Sequence, residues 1–100
     1  MDFIALDFET ANADRASACA VGIAIVRDGV LADVFSTLIR PPSLDFHDRM
    51  IAIHGITPDR VKGAPPFIDI WPEMQKRIGD GPMAMHNAPF DLAVLSANLQ

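Results

Sequence analysis

Apolar positions along the chain follow two rhythms, one suited to strands in the first forty residues and one suited to helices after residue 57. Residues 2 to 8, DFIALDF, are short, apolar and bounded by polar residues, the pattern of a strand buried on both faces. The polar stretch ETANADRASA that follows, residues 9 to 18, reads as a loop. In CAVGIAIVRDGVLADVFSTLI, residues 19 to 39, two β-rich runs flank Asp28-Gly29. That dipeptide signals a hairpin, because both central residues of a type I′ turn take positive φ. Pro41 and Pro42 end the third strand, and residues 43 to 56 show no period, so a loop is expected there.

Helical spacing begins at ITPDRVKG, where Thr57 suits an N-cap, Pro58 the first helical position and Gly63 the close of a short helix. Phe67, Ile70, Trp71, Met74 and Ile78 then recur at helical intervals and form one apolar stripe. Pro72 inside that stripe predicts a kink or a late helix start, with Gly79 and Gly81 ending the helix. PMAMH, residues 82 to 86, reads as a short buried fourth strand. NAPFDLAVLSANLQ, residues 87 to 100, reads as a helix capped by Asn87 with Leu92, Leu95 and Leu99 facing the core. The predicted order is β, β, β, α, β, α in a single α/β unit.

Composition narrows the function. Half of the 100 residues are apolar, enough for one compact core and no second domain. Eight Lys and Arg against thirteen Asp and Glu leave a net charge of -5, which excludes a broad basic face for gripping polyanions. Any nucleic-acid contact is then local or metal-assisted. Cys19 is the only cysteine, so no internal disulfide forms and a reducing cytoplasm is the expected setting. No apolar run reaches the roughly 20 residues that span a bilayer, and MDFIALDFET lacks the basic start of a signal peptide, so no membrane is expected as a partner.

The chemistry concentrates in two acidic clusters. In a strand, residues two apart point to one side, so Asp7 and Glu9 project together with Cα atoms about 6.5 to 7 Å apart. Carboxylates so placed repel unless a cation lies between them or one takes up a proton. Hard divalent ions such as Mg²⁺ or Mn²⁺ favour such oxygen ligands, although a strand end reaching solvent also accounts for an isolated pair. The second cluster, HNAPFD at residues 86 to 91, spans the junction of a strand and a helix, where functional groups collect in α/β sheets. Asp91 there is placed to supply a third carboxylate, and equally to favour the positive end of a helix dipole.

Taken together, LDFET at 6 to 10, IHGIT at 53 to 57 and HNAPFDLAVL at 86 to 95 resemble the DEDD exonucleases typified by the proofreading epsilon subunit of DNA polymerase III. The resemblance covers the whole chain, with the motifs in the family's order. It implies an RNase H-like fold and 3′ to 5′ removal of nucleotides from DNA or RNA, in replication or repair, with two Mg²⁺ or Mn²⁺ ions. It implies as partners a single-stranded or frayed 3′ end and a DNA polymerase subunit. By the same resemblance, Asp7, Glu9 and Asp91 are the catalytic metal ligands, and Thr10, supported by Phe8, helps hold the terminal nucleotide. Ile53 and His54 pack against the terminal bases, and Phe90 stacks in the nucleotide pocket.

Two departures from the family pattern stand out. A third motif, a His with an Asp five residues later that supplies the general base and completes the metal shell, is expected beyond the second and does not occur before Gln100. His54 with Asp59 and His86 with Asp91 match its spacing but lie inside the other motifs, and read as coincidences. Residues 1 to 100 are therefore expected to be the N-terminal portion of the domain, truncated after the fourth strand and its helix. Such a chain would lose a factor of roughly 10² to 10⁴ in water activation, or act as an inactive nucleotide-binding or interaction module. Its uncovered sheet edge invites association with a second copy. The second departure is that ETANADRAS lacks the Thr-Gly that often follows Glu-Thr in the family, so the loop over the nucleotide is expected to differ.

Overall fold

The structure, a computed structural model, describes residues 2–79, 83–85 and 88–99, the side chains of 83–85 and 88–89 excepted. Its elements are β1 (Phe3–Thr10), β2 (Ala18–Arg27), β3 (Val30–Leu38), α1 (Asp48–His54), α2 (Pro58–Val61), α3 (Phe67–Ile78), β4 (Met83–Met85) and α4 (Ala88–Asn98). The strands form one sheet in the order β3-β2-β1-β4. β1, β2 and β3 are antiparallel, while β4 runs parallel to β1 against Ile4, Ala5 and Leu6. The hairpin turns as its sequence requires, with φ of 53° at Asp28 and 76° at Gly29. This is the RNase H-like arrangement expected from the motifs. Among the described strands β3 and β4 are the edges.

The first strand departs from its sequence reading in a way that bears on chemistry. It is not buried on both faces, and it continues through Thr10. Ile4, Leu6, Phe8 and Thr10 point into the core, while Phe3, Ala5, Asp7 and Glu9 share the opposite face. Asp7 and Glu9 thus stand in the body of the strand, on its open side. Beside them the pairing of β1 with β2 slips by one residue, from Glu9↔Ala20 to Thr10↔Ala18. Cys19 is the extra residue of this bulge, and so both Ala18 and Cys19 are buried where alternation would expose one.

The main core lies between the inner sheet face and helices α3 and α4. Phe8 meets Phe67 at 6.3 Å between ring centroids, and Phe67 stacks on Trp71 at 5.8 Å. Helix α3 starts at Phe67 and runs through Pro72 to Ile78, with Gly79 as its C-cap, so there is no late start. Burial of Phe67, Ile70 and Met74 on one face offsets the single backbone hydrogen bond that Pro72 lacks.

Helix α4 corrects the expected core face. Leu92 is 52 % exposed and Leu99 43 % exposed, while Asp91 and Val94 are buried and Leu95 packs against the core from its margin. The helix carries apolar residues almost all round, so spacing could not select a face. Asn87, the expected cap, and Gly81 lie outside the described residues.

Residues 43 to 56, expected to be a loop, contain α1. His47 Nδ1 accepts from the Arg49 amide at 3.1 Å, and Gly55, at φ 71°, closes the helix with its amide on the Ile51 carbonyl. No residue of α1 is buried, which is why no apolar period marks it. Thr57 occupies the N-cap position of α2 but makes no side-chain cap hydrogen bond. A second small core of Ala11, Cys19, Ile56 and Val61, flanked by Leu38, Phe46 and Ala64, binds this helical segment to the ends of β1 and β2.

Candidate active site

Three segments distant in sequence meet at the C-terminal end of β1. Among the described residues β4 pairs with β1 as far as Leu6, and the amide of Phe8 lies beyond that pairing. Asp91, in the first turn of α4, fills the place: its Oδ1 accepts from the Phe8 amide at 3.1 Å, and its side chain is 1 % exposed. A buried amide left unpaired would cost about 1 to 3 kcal/mol, so the bond fixes α4 against the strand. The third acid is thereby set beside Phe8, the residue between Asp7 and Glu9.

The electrostatics follow from that arrangement. Burial, then the charge of Asp7, push the Glu9 carboxyl up from its ordinary value; His54 pulls it back, and Asp91 adds a further push. Mutual repulsion of this kind is what a hard cation relieves. The donors present, carboxylate oxygens from Asp7, Glu9 and Asp91, suit Mg²⁺ or Mn²⁺ by type. Among the described residues, no three His, Cys, Asp or Glu side chains converge closely enough to form a ready metal cage.

From the second motif, His54 closes the site on another side. Its Nδ1 accepts from the Ile56 amide at 3.0 Å, so the proton is on Nε2, which donates to the Thr10 carbonyl at 3.0 Å. Cys19 Sγ lies 3.9 Å from the same nitrogen. Burial, then the charge of Glu9, push that thiol up to about 12. His54 thus ties the last residue of β1 to the end of α1. Asp59, five residues on, is paired instead with Lys62 at 3.4 Å, so the spacing match has no contact behind it.

The remaining expected residues divide. Ile53 is 71 % exposed and offers an open apolar surface next to His54. The side chains of Phe8 and Thr10 are buried, at 2 % and 3 % exposure, so neither presents itself to a ligand; each acts through its backbone, the Phe8 amide on Asp91 and the Thr10 carbonyl on His54. Phe90 packs against the core, and the Arg15 guanidinium covers one face of its ring at 4.7 Å. That face is not free for a base while Arg15 lies on it. His86 lies outside the described residues.

Sequence reading missed Arg60. A cleft of about 410 Å³ on the outer sheet face is lined by Asp7 and Glu9, by Ala20, Gly22, Ser36 and Leu38, and by Arg60. A basic residue so close after IHGIT was the available signal, but nothing local says which way an exposed arginine points.

The sheet thus carries paired carboxylates on its open face, with a third acid bonded to the same strand from the first turn of α4. The family model RNase_T, described as exonuclease, matches residues 4–100, and the chain belongs to that exonuclease family. The PolC-type DNA polymerase III of Clostridium perfringens is 25 % identical over 100 residues, which is 98 % of this chain and 7 % of that protein. The PolC-type DNA polymerase III of Thermotoga petrophila is 30 % identical over 95 residues, 93 % of this chain and 7 % of that protein. Among solved structures, Exonuclease X in complex with 5′ overhanging duplex DNA superposes with a TM-score of 0.81 at 28 % identity, covering 92 % of this chain and 52 % of that one. The chain therefore spans a small fraction of these polymerases and about half of Exonuclease X. No described helix is long and apolar enough to cross a membrane.

Proposed function

We propose that the chain provides the carboxylate half of a metal-dependent 3′ to 5′ exonuclease site, with Asp7, Glu9 and Asp91 holding Mg²⁺ or Mn²⁺ ions at the 3′ end of a nucleic-acid strand. The observation that carries this reading is the Phe8 amide bond to Asp91, which brings the acid of α4 to the strand that bears the other two. When bound, the ions supply Lewis acidity toward water and phosphate oxygens. They also reverse the sign of an acidic pocket, which lets a chain of net charge -5 take a polyanion.

The chain's own residues do the placing. Asp7 and Glu9 present oxygens on the open face, and Asp91 offers the oxygen not engaged by Phe8. His54 holds the end of β1 in register through Thr10, and Ile53 offers an apolar surface to a terminal base. Exonuclease X is recorded with duplex DNA carrying a 5′ overhang, and such a duplex has a recessed 3′ end. This favours DNA as the strand, and the likeness to PolC-type polymerases favours a replication or repair setting in the cytoplasm with a polymerase as the partner.

The test is release of mononucleotides from single-stranded and recessed 3′ ends in Mn²⁺, abolished by Asp7→Ala. No release, together with no heat on titration with millimolar Mn²⁺, would sink the reading. One observation favours a second one, a module that binds strand ends without cutting: the described acids do not by themselves form a closed metal cage. Binding of a 3′ end without release would select it.

A further inference from the structure

Arg60 lines the same cleft as the acidic pair, and its position is held by the main chain rather than by a counter-ion. Its Nη1 donates to the carbonyl of Gly55 at 3.3 Å, and its own amide is bonded to the Thr57 carbonyl. The left-handed conformation of Gly55, at φ 71°, belongs to the turn that ends α1 and places that carbonyl. Among the described residues Arg60 has no ion pair, as is also true of Arg15, Arg27, Arg40 and Arg49. It lines the cleft that contains Asp7 and Glu9, together with Ala20, Gly22, Ser36 and Leu38 of the outer sheet face.

That layout separates two jobs. The carboxylates repel a bare phosphate, so the phosphate they act on must come with cations. A phosphate further along the same strand has no such partner unless the protein provides one. A guanidinium with most of its N–H groups free, lining a cleft whose volume falls in the about 300 to 1,000 Å³ range of ligand sites, meets that need.

Resting on the function proposed above, we infer that Arg60 is a positioning residue that grips a phosphate of the bound strand other than the one being cut. It sets the register of the strand against Asp7 and Glu9. The contact is to the backbone, so it carries no base preference.

The experiment measures binding of a fluorescein-labelled ten-residue oligothymidylate, its 3′-terminal linkage a phosphorothioate to resist cleavage, by anisotropy in Mn²⁺ over a range of salt. Arg60→Ala is expected to weaken binding about tenfold or more at low salt, as loss of a charge-assisted contact does. It should also lower the slope of log K against log salt by about 0.7, the share of one phosphate on a single strand. Arg60→Lys should restore the slope but not the full affinity, since it keeps the charge and loses the fork. Equal affinity and slope in wild type and Arg60→Ala would overturn the inference and leave the exonuclease reading intact. A wild-type chain that binds no strand would remove both.

Discussion

The amide of Phe8 and the carboxylate of Asp91 are 83 residues apart in sequence and joined by a buried 3.1 Å hydrogen bond. One oxygen of Asp91 therefore serves the fold, and on the function proposed above the other is the one that would meet a metal ion. The two duties separate by substitution. Asp91→Asn keeps an acceptor for the Phe8 amide and should remain folded while losing Mn²⁺ binding and nucleotide release. Asp91→Ala leaves the amide unpaired and should destabilise the protein by about 1 to 3 kcal/mol as well. Urea unfolding beside calorimetric Mn²⁺ titration checks both; equal stability of the two variants would show that the bond does not hold α4 in place.

Glu9 gives a prediction of opposite sign. Its carboxyl is held above the ordinary value in the folded chain by burial and by Asp7. A raised folded value means that the native state prefers the protonated form, so ionised Glu9 works against folding at neutral pH. Glu9→Gln should raise the melting temperature of the metal-free protein at pH 7. The gain should vanish as the pH falls through the range where Glu9 itself takes up a proton. Added Mn²⁺ should stabilise wild type and leave Glu9→Gln little changed, which thermal melts across pH and metal concentration will decide.

His54 is held at both ring nitrogens, by Ile56 and by Thr10. His54→Ala removes both bonds and is expected to destabilise the protein by about 1 to 3 kcal/mol, with the first effect at the end of β1. Hydrogen exchange of amides near Thr10 should rise more than that of amides in the β2–β3 hairpin. A uniform rise would indicate that His54 has no local role.

Cys19 lies in the bulge, buried, with its thiol pushed up to about 12 by desolvation and the Glu9 charge. The thiolate is the reacting form, so labelling by Ellman's reagent at pH 8 should proceed only as fast as the chain opens. Labelling should become rapid in denaturant. Fast labelling of the folded protein would mean that the small core around Ala11, Ile56 and Val61 is not closed over it.

Much of this protein was settled locally. Asp28-Gly29 turns the hairpin because few other pairs accept two positive φ values, and the stripe from Phe67 to Ile78 makes α3 because its spacing matches the helical repeat. Strand alternation put Asp7 and Glu9 on one face, and three motifs in order disclosed the exonuclease family. Short-range stereochemistry decides such features, and a sequence records it directly.

Only the tertiary structure decided which face of α4 turns inward, that the side chains of Phe8 and Thr10 are buried while their backbones bond Asp91 and His54, that α1 exists, and that Arg60 shares a cleft with the acids. All but α1, whose caps are local, depend on a group far away in the chain. The face of α4 is set where a free amide of β1 receives Asp91, since the helix's own apolar residues show no preference, and α1 buries nothing that would print a period in its sequence. Long-range satisfaction of polar groups leaves no local pattern, and that is why the fold's class was legible where the assembly of its site was not.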